Sequence, residues 1–409
     1  MSHSGDAPSL SVRNVFKAFG RRPKEIVRRI KAGEDRADLT ELGTAAVIDA
    51  SFDVQPGEIF VVMGLSGSGK STLIRTLNGL QPATEGTVEV RGRNIGRLPK
   101  KRLRRLRAED MAMVFQHFAL FPHRTVLQNA AYGLEIQGVE VHARERRALD
   151  VLARVGLDGW QDHYPGELSG GMQQRVGLAR ALAAETDILL MDEAFSALDP
   201  LIRREMQQQL IVLQRELGKT IIFITHDLNE AMYIGDRIAV MKDGRIVQIG
   251  TPEEILTRPA DDYVAQFIAD VDRGRVLTAG SVMVAPGALS AQEQAQVSDD
   301  EGAGADQAVV AQTATLQEIV PVAAHAEGPV AVTADGAAGE PIGWIRIPDL
   351  LASLNTPEEY SAPLPEPSAA AAEPPTVTTA EAAVDATADT AADAAVDTAD
   401  TVDTAEGGR

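Results

Sequence analysis

The chain of 409 residues contains no cysteine, which removes disulfides, thiolate metal ligands and cysteine nucleophiles and fits a reducing compartment. Long apolar runs are missing as well. Runs such as IFVVM at 59 to 63 and ILLM at 188 to 191 fall far short of the roughly 18 residues a membrane-spanning helix needs. The opening MSHSGDAPSL lacks the charged segment and apolar stretch of a signal peptide. A cytoplasmic location is the expectation. Basic residues are nearly absent from the C-terminal third. Residues 276 to 355 hold ten acidic side chains against Arg346 alone, and 356 to 409 hold twelve against Arg409 alone. These stretches carry −9 and −11, the whole of the formal charge of −20, and leave residues 1 to 275 neutral. A balanced body without a basic footprint argues against nucleic acid as a partner. The tail 356 to 409 is low-complexity and, from residue 361, free of aromatics. It has too little apolar surface to offset its ordering entropy and is expected to be disordered.

What is present alternates strand and helix. AVIDASFDV, then EIFVVM after the turn at Pro56-Gly57, read as strands, and a glycine-rich loop precedes a helical stretch at 70 to 80. TVEVRG, AMVFQ, DILLMD and TIIFITH read as further strands, with helical patterns such as REMQQQLIVLQREL between the last two. The expected fold class is α/β, a parallel sheet covered by helices. Between Phe19 and Thr44 lies a charged, helix-prone insertion, about 21 to 43, whose Ile26, Val27 and Ile30 can share one face. The simplest reading is a helical hairpin packed on the surface. KKRLRRLR at 100 to 107 has six cations in eight residues, which suits a solvated helix edge and also phospholipid headgroups or a partner protein.

GLSGSGKST, Gly64 to Thr72, matches G-x-x-x-x-G-K-[ST] between a buried strand and a helix. Gly64, Gly67 and Gly69, with Leu65, Ser66 and Ser68 between them, let the loop wrap so that backbone N–H groups face phosphate oxygens. Lys70 supplies a point charge to β and γ phosphates, the Ser71 hydroxyl is placed to ligate Mg²⁺, and Thr72 continues the helix. ILLMDEAFSALD at 188 to 199 ends a buried strand in Asp192, a Mg²⁺ partner directly or through water, and Glu193, a carboxylate placed to polarise an attacking water. LSGGMQ offers an exposed Ser169 hydroxyl and the Gly170 and Gly171 amides at a helix start, a second anion cradle, followed by Met172 and Gln173.

In these motifs, residues about 10 to 260 resemble a complete ABC nucleotide-binding domain. The order is that of the family: an aromatic near the start, the P-loop, Gln116, the signature at Ser169 to Gln173, Asp192-Glu193, the D-loop Ser196, Ala197, Leu198 and Asp199, and His226. The resemblance implies a parallel-sheet core with an antiparallel β subdomain and a helical signature subdomain. It implies ATP and Mg²⁺ as ligands and a head-to-tail dimer, in which one subunit's signature covers ATP on the other's P-loop. It also implies that Phe19 stacks on adenine, with Phe16 near enough to compete. Gln116 would couple Mg²⁺ and the attacking water to the membrane partner. His226 would contact the γ-phosphate and hold Glu193.

GEIFVVMGLSGSGKST, MAMVFQHFALFPHRTVLQNAAYGLEIQG and LLMDEAFSALDPLIRREMQ, with the insertion after Phe19, are similar to the ATPases of glycine betaine/proline importers. That resemblance implies an integral membrane permease, an extracytoplasmic solute-binding protein, and residence on the cytoplasmic face of the membrane. An ATPase of another importer class, for polyamines or amino acids, is the nearest alternative. A non-transport ABC protein is the next, although one cassette without a coiled-coil insertion speaks against it. VLTAGSVM at 276 to 283 and the segment 315 to 354 resemble parts of a CBS module, a helix, two strands and a closing helix. The expected organisation is therefore an ATPase domain over 1 to 275, a degenerate CBS-like region over 276 to 355 and the acidic tail.

Overall fold

The computed structural model describes residues 7–115, 119–290, 293–294, 308–326, 328–336 and 340–355. Gln116 and the tail 356 to 409, with its expected disorder, lie outside the described residues. The strands are β1 (Leu10–Gly20), β2 (Gly43–Val54), β3 (Ile59–Met63), β4 (Glu85–Val90), β5 (Arg93–Asn94), β6 (Met111–Val114), β7 (Ile188–Asp192), β8 (Thr220–Thr225), β9 (Arg237–Lys242), β10 (Arg245–Gly250), β11 (Val309–Ala311), β12 (Val330–Thr333) and β13 (Gly343–Ile345).

The central sheet runs β10-β9-β3-β8-β7-β6. Its pairs are parallel except β9 with β10, which are antiparallel. Successive side chains of a strand point to opposite faces, and in β3 both faces are apolar. Phe60 and Val62 join one buried cluster with Leu73, Ile222, Ile224 and Met241, whereas Val61 and Met63 join another with Met191, Phe223 and Val240. A continuous apolar run is what a sheet covered on both sides requires. The first face is covered by an antiparallel sheet of order β2-β1-β4-β5 and by the helix Lys70–Leu77, and Phe52 of β2 stacks on Phe60 at 4.9 Å. The expected α/β core with an antiparallel β part is therefore what forms.

The helices are α1 (Pro23–Lys31), α2 (Lys70–Leu77), α3 (Lys100–Glu109), α4 (Val126–Ile136), α5 (Val141–Arg154), α6 (Gly170–Ala183), α7 (Pro200–Leu217), α8 (Leu228–Ile234), α9 (Pro252–Thr257), α10 (Asp262–Phe267), α11 (Arg273–Val276), α12 (Ala279–Val282), α13 (Leu316–Ala323) and α14 (Ile347–Leu354). Their starts are written in the sequence. Thr125 and Gln128 form a capping box for α4, Ser169 caps α6, and Asp199 caps α7 with Pro200 in its first turn. α4, α5 and α6 pack together through Ala130, Ala131, Leu152 and Val176, a helical part beside the sheet. Among the described residues, no helix is long and apolar enough to cross a membrane.

The insertion forms α1 and a 3-10 turn at Arg36–Leu39, so the second arm of the expected hairpin is a single short turn. Ile26, Val27, Ile30 and Leu39 are buried in a satellite core with Phe16, Ala45 and Ile48. At the other end, β11, α13, β12, β13 and α14 make a three-stranded sheet with two helices, β11-β12 parallel and β12-β13 antiparallel. The helix, two strands and closing helix read from 315 to 354 are present, and β11 precedes them. Ala279, Leu316, Ile319, Ile345 and Leu350 belong to the same buried cluster as the α4–α6 helices.

Candidate active site

The loop between β3 and α2 curls because three of its positions need backbone that side chains resist. Gly69, the residue before α2, has φ +104, and a Cβ there would sit 2.1 Å from the Ala46 carbonyl oxygen. At Gly64, φ +155, it would sit 2.3 Å from the Met241 oxygen. Gly67 shares the left-handed region but faces open space. Neighbouring strands buttress the loop, the Gly244 N–H donating to the Ser68 carbonyl at 3.0 Å. The Lys70 ammonium is buried and donates to the Gly64 and Leu65 carbonyls at 2.8 and 3.1 Å. Burial pulls its pKa below that of an ordinary lysine, with the charges of Glu193 and Asp192 opposing. The Ser68 hydroxyl is also buried and has no partner among the described residues. A charged donor, an unspent hydroxyl and amides at a helix start form a cradle that fits phosphate.

β7 lies beside β8 at the ends facing this loop. The Ser71 hydroxyl donates to Asp192 Oδ1 at 3.1 Å. Burial pushes the Asp192 carboxyl above the ordinary carboxylate range, against the Ser71 bond and the charges of Arg75 and Lys70. This hydroxyl–carboxylate pair is the donor set that Mg²⁺ accepts when phosphates and water complete its shell. Glu193, one step on, has φ +47, a left-handed conformation rare for a side chain of its size. Its N–H donates to the Ile224 carbonyl at 2.9 Å, locking the turn to β8. His226 follows β8, and its Nδ1 is 3.0 Å from Glu193 Oε2. The His226 ring is about half exposed, so its contact with Glu193 leaves the rest of the imidazole accessible.

Phe19 is at the edge of β1, 39% exposed, with the Lys17 ammonium 4.7 Å from its ring centre, whereas Phe16 is buried under Lys31 of α1. Of the two rings, Phe19 is the exposed one. Ser169 and Gly170 are exposed at the start of α6, Gly170 into open space, Gly171 against Ile202 of α7. The Ser169 hydroxyl accepts from the Met172 N–H, and Gln173 donates to the Pro165 and Leu168 carbonyls. In the D-loop, Ala197 is exposed and Leu198 buried, while Asp199 accepts from Leu201 and Ile202 as the cap of α7. Thus Lys70, Ser71, Asp192, Glu193 and His226 meet in one place, and the signature forms a separate surface on the helical part.

Two contributors escaped sequence reading. Arg203 of α7 touches both the D-loop and Asp227, and Tyr263 of α10 lies beside Leu65 and beneath Lys242, whose ammonium is 4.2 Å from its ring centre. Neither carries a motif, because each acts through tertiary contact. A cavity of about 410 Å³ between the insertion and the Asp243–Arg245 turn includes none of these catalytic candidates.

The family described as ABC transporter matches residues 47–196. The chain is 56% identical over 276 residues to the glycine betaine transport ATP-binding protein OpuAA of Bacillus subtilis (strain 168), which covers 67% of this chain and 66% of that protein. It is also 56% identical over 279 residues to the glycine betaine/carnitine transport ATP-binding protein GbuA of Listeria monocytogenes serotype 1/2a (strain 10403S), 68% of this chain and 70% of that protein. The chain therefore spans 66 to 70% of the length of these relatives. A solved structure, the dimeric post-hydrolysis state of the ATP-binding cassette MJ0796 bound to ADP and Pi, is similar with a TM-score of 0.51 and 32% identity. That likeness covers 59% of this chain and 98% of the other.

Proposed function

Because this chain belongs to the family of ABC transporter ATP-binding proteins, we propose that it hydrolyses ATP to drive import of a betaine- or proline-type solute. The observation that carries the reading is the convergence of Ser71–Asp192 and Glu193–His226 on the P-loop. Lys70 and the loop amides hold the phosphates, and Ser71, Asp192 and Gln116 would hold Mg²⁺, which when bound would neutralise charge on the phosphates. Glu193 takes a proton from the attacking water, oriented by His226 Nδ1, while Nε2 remains for the γ-phosphate side. Phe19 presents its free face to adenine.

Ser169 to Gln173 of a second copy close over the nucleotide, which makes the working unit a head-to-tail dimer. Its other partners are an integral membrane permease and an extracytoplasmic solute-binding protein, with the dimer on the cytoplasmic face. Residues 1 to 275 form the ATPase domain. The CBS-like region 276 to 355 and the acidic tail adjust its activity with ionic strength. The solute class rests on the names of the relatives, since the solute does not touch this subunit. The test is solute-stimulated ATPase activity in proteoliposomes with the permease and binding protein, across betaines, proline, choline, polyamines and amino acids, with Glu193→Gln as control. Stimulation by betaine or proline supports the reading, whereas stimulation by a polyamine or amino acid alone moves the chain to another importer class. The control should lower turnover by about 10²- to 10⁴-fold while ATP still binds.

A further inference from the structure

Arg203 closes a ring of contacts around the site. Its Nη1 donates to Asp227 Oδ2 at 3.1 Å, and its Nη2 donates to the Ser196 and Leu198 carbonyls at 3.3 and 3.1 Å. Asp227 directly follows His226, which meets Glu193 at 3.0 Å. Ser196 donates its hydroxyl to the Glu193 carbonyl at 2.9 Å, completing the circuit. Asp227 is itself fixed, accepting from the Glu230 N–H as the cap of α8 and donating its own N–H to Thr225 Oγ1. One turn further along α7, Gln207 donates to the buried Glu230 carboxylate at 3.0 Å, so one face of α7 grips the turn carrying His226 at two points.

We propose that Arg203 is a positioning residue for hydrolysis, its guanidinium tying the D-loop carbonyls to the turn that carries His226. The inference rests on the ATPase reading above. A planar fork serves a carboxylate on one arm and two carbonyls on the other in a fixed geometry that a lysine's three rotatable donors at one nitrogen do not hold. The side chains of Arg203 and Asp227 are 26% and 32% exposed, so their ion pair adds little to folding stability, and its geometry is what acts on the site. Movement of Ser196–Asp199 then reaches Glu193 and His226 through Arg203. Its Nε is buried and without a partner among the described residues, a donor available when the carbonyls shift.

The test is steady-state ATPase kinetics of the full-length chain. Arg203→Ala should lower kcat about 10- to 100-fold, the scale of a roughly 1 Å misplacement, with KM for ATP within about threefold of wild type. Arg203→Lys should recover only part of kcat. Asp227→Asn should behave like Arg203→Ala, and the double variant should be no slower than the worse single one, as coupled residues require. In a Glu193→Gln background, Arg203→Ala should weaken the ATP-dependent dimer measured by size-exclusion chromatography. Wild-type kcat in Arg203→Ala, or full recovery in Arg203→Lys, overturns the proposal. Should Arg203→Ala not fold, the Arg203→Lys and Asp227→Asn rates decide alone. A wild-type chain without ATPase activity, or Glu193→Gln at the wild-type rate, overturns the ATPase reading itself.

Discussion

Asp192→Asn separates the folding cost of the site from its use. Asp192 is 6% exposed, and its carboxyl sits above the ordinary range because desolvation, with the charge of Glu193, outweighs Ser71, Arg75 and Lys70 combined. Those favourable partners are already counted in that net direction, so the ionised form is destabilising in the folded chain. An amide keeps the acceptor for Ser71 and removes the charge. The gain at pH 7 without nucleotide is about 1–2 kcal/mol, the lower part of the cost of an under-bonded buried charge. For a chain of this size that corresponds to about 2 °C in Tm, since entropy of unfolding grows with length. The sign with pH follows from the raised carboxyl. Between the model-peptide value of 3.8 and the higher folded one, the folded state binds the extra proton, so wild-type stability falls as pH rises through that window. The advantage of the amide should therefore shrink on acidification. With Mg²⁺ and ATP at 100 times Kd the wild type gains about 2.7 kcal/mol, and the order reverses if Asp192 helps hold the metal. Thermal melts from pH 5 to 8, with and without Mg-ATP, measure both effects. An Asn variant less stable than wild type at pH 7 without nucleotide would refute the argument.

The other predictions concern neighbouring elements. Phe19→Ala should raise KM for ATP about fivefold with kcat unchanged, from loss of about 1 kcal/mol of ring contact, as ATPase titrations will show. Gly69→Ala should abolish nucleotide binding by fluorescence titration, because a Cβ at 2.1 Å from the Ala46 carbonyl forces the backbone to move. Ile26→Ala should cost about 2–4 kcal/mol in the satellite core under the insertion, read as a lower Tm, while kcat at 20 °C stays within about twofold of wild type.

Much of this arrangement was legible in the residues because it is local. The glycines at 64 and 69, the apolar strand before them and the Asp192-Glu193 pair each declare their geometry within a few positions of sequence. The face shared by Ile26, Val27 and Ile30 announced burial in the same way, although its second arm shortened to a 3-10 turn. What stayed hidden lies across long stretches of chain. Nothing near Tyr263 marks it as a neighbour of Leu65, and the choice between Phe16 and Phe19 depends on α1 covering one ring and leaving the other bare. Arg203 is the sharpest case, since four residues after Asp199 it reads as an ordinary helix surface cation. Its role exists only because α7, leaving the D-loop, passes the start of α8 closely enough for one guanidinium to touch both. Motifs supply the groups that meet phosphate and water, while the packing of unmarked helices decides whether those groups are held in register.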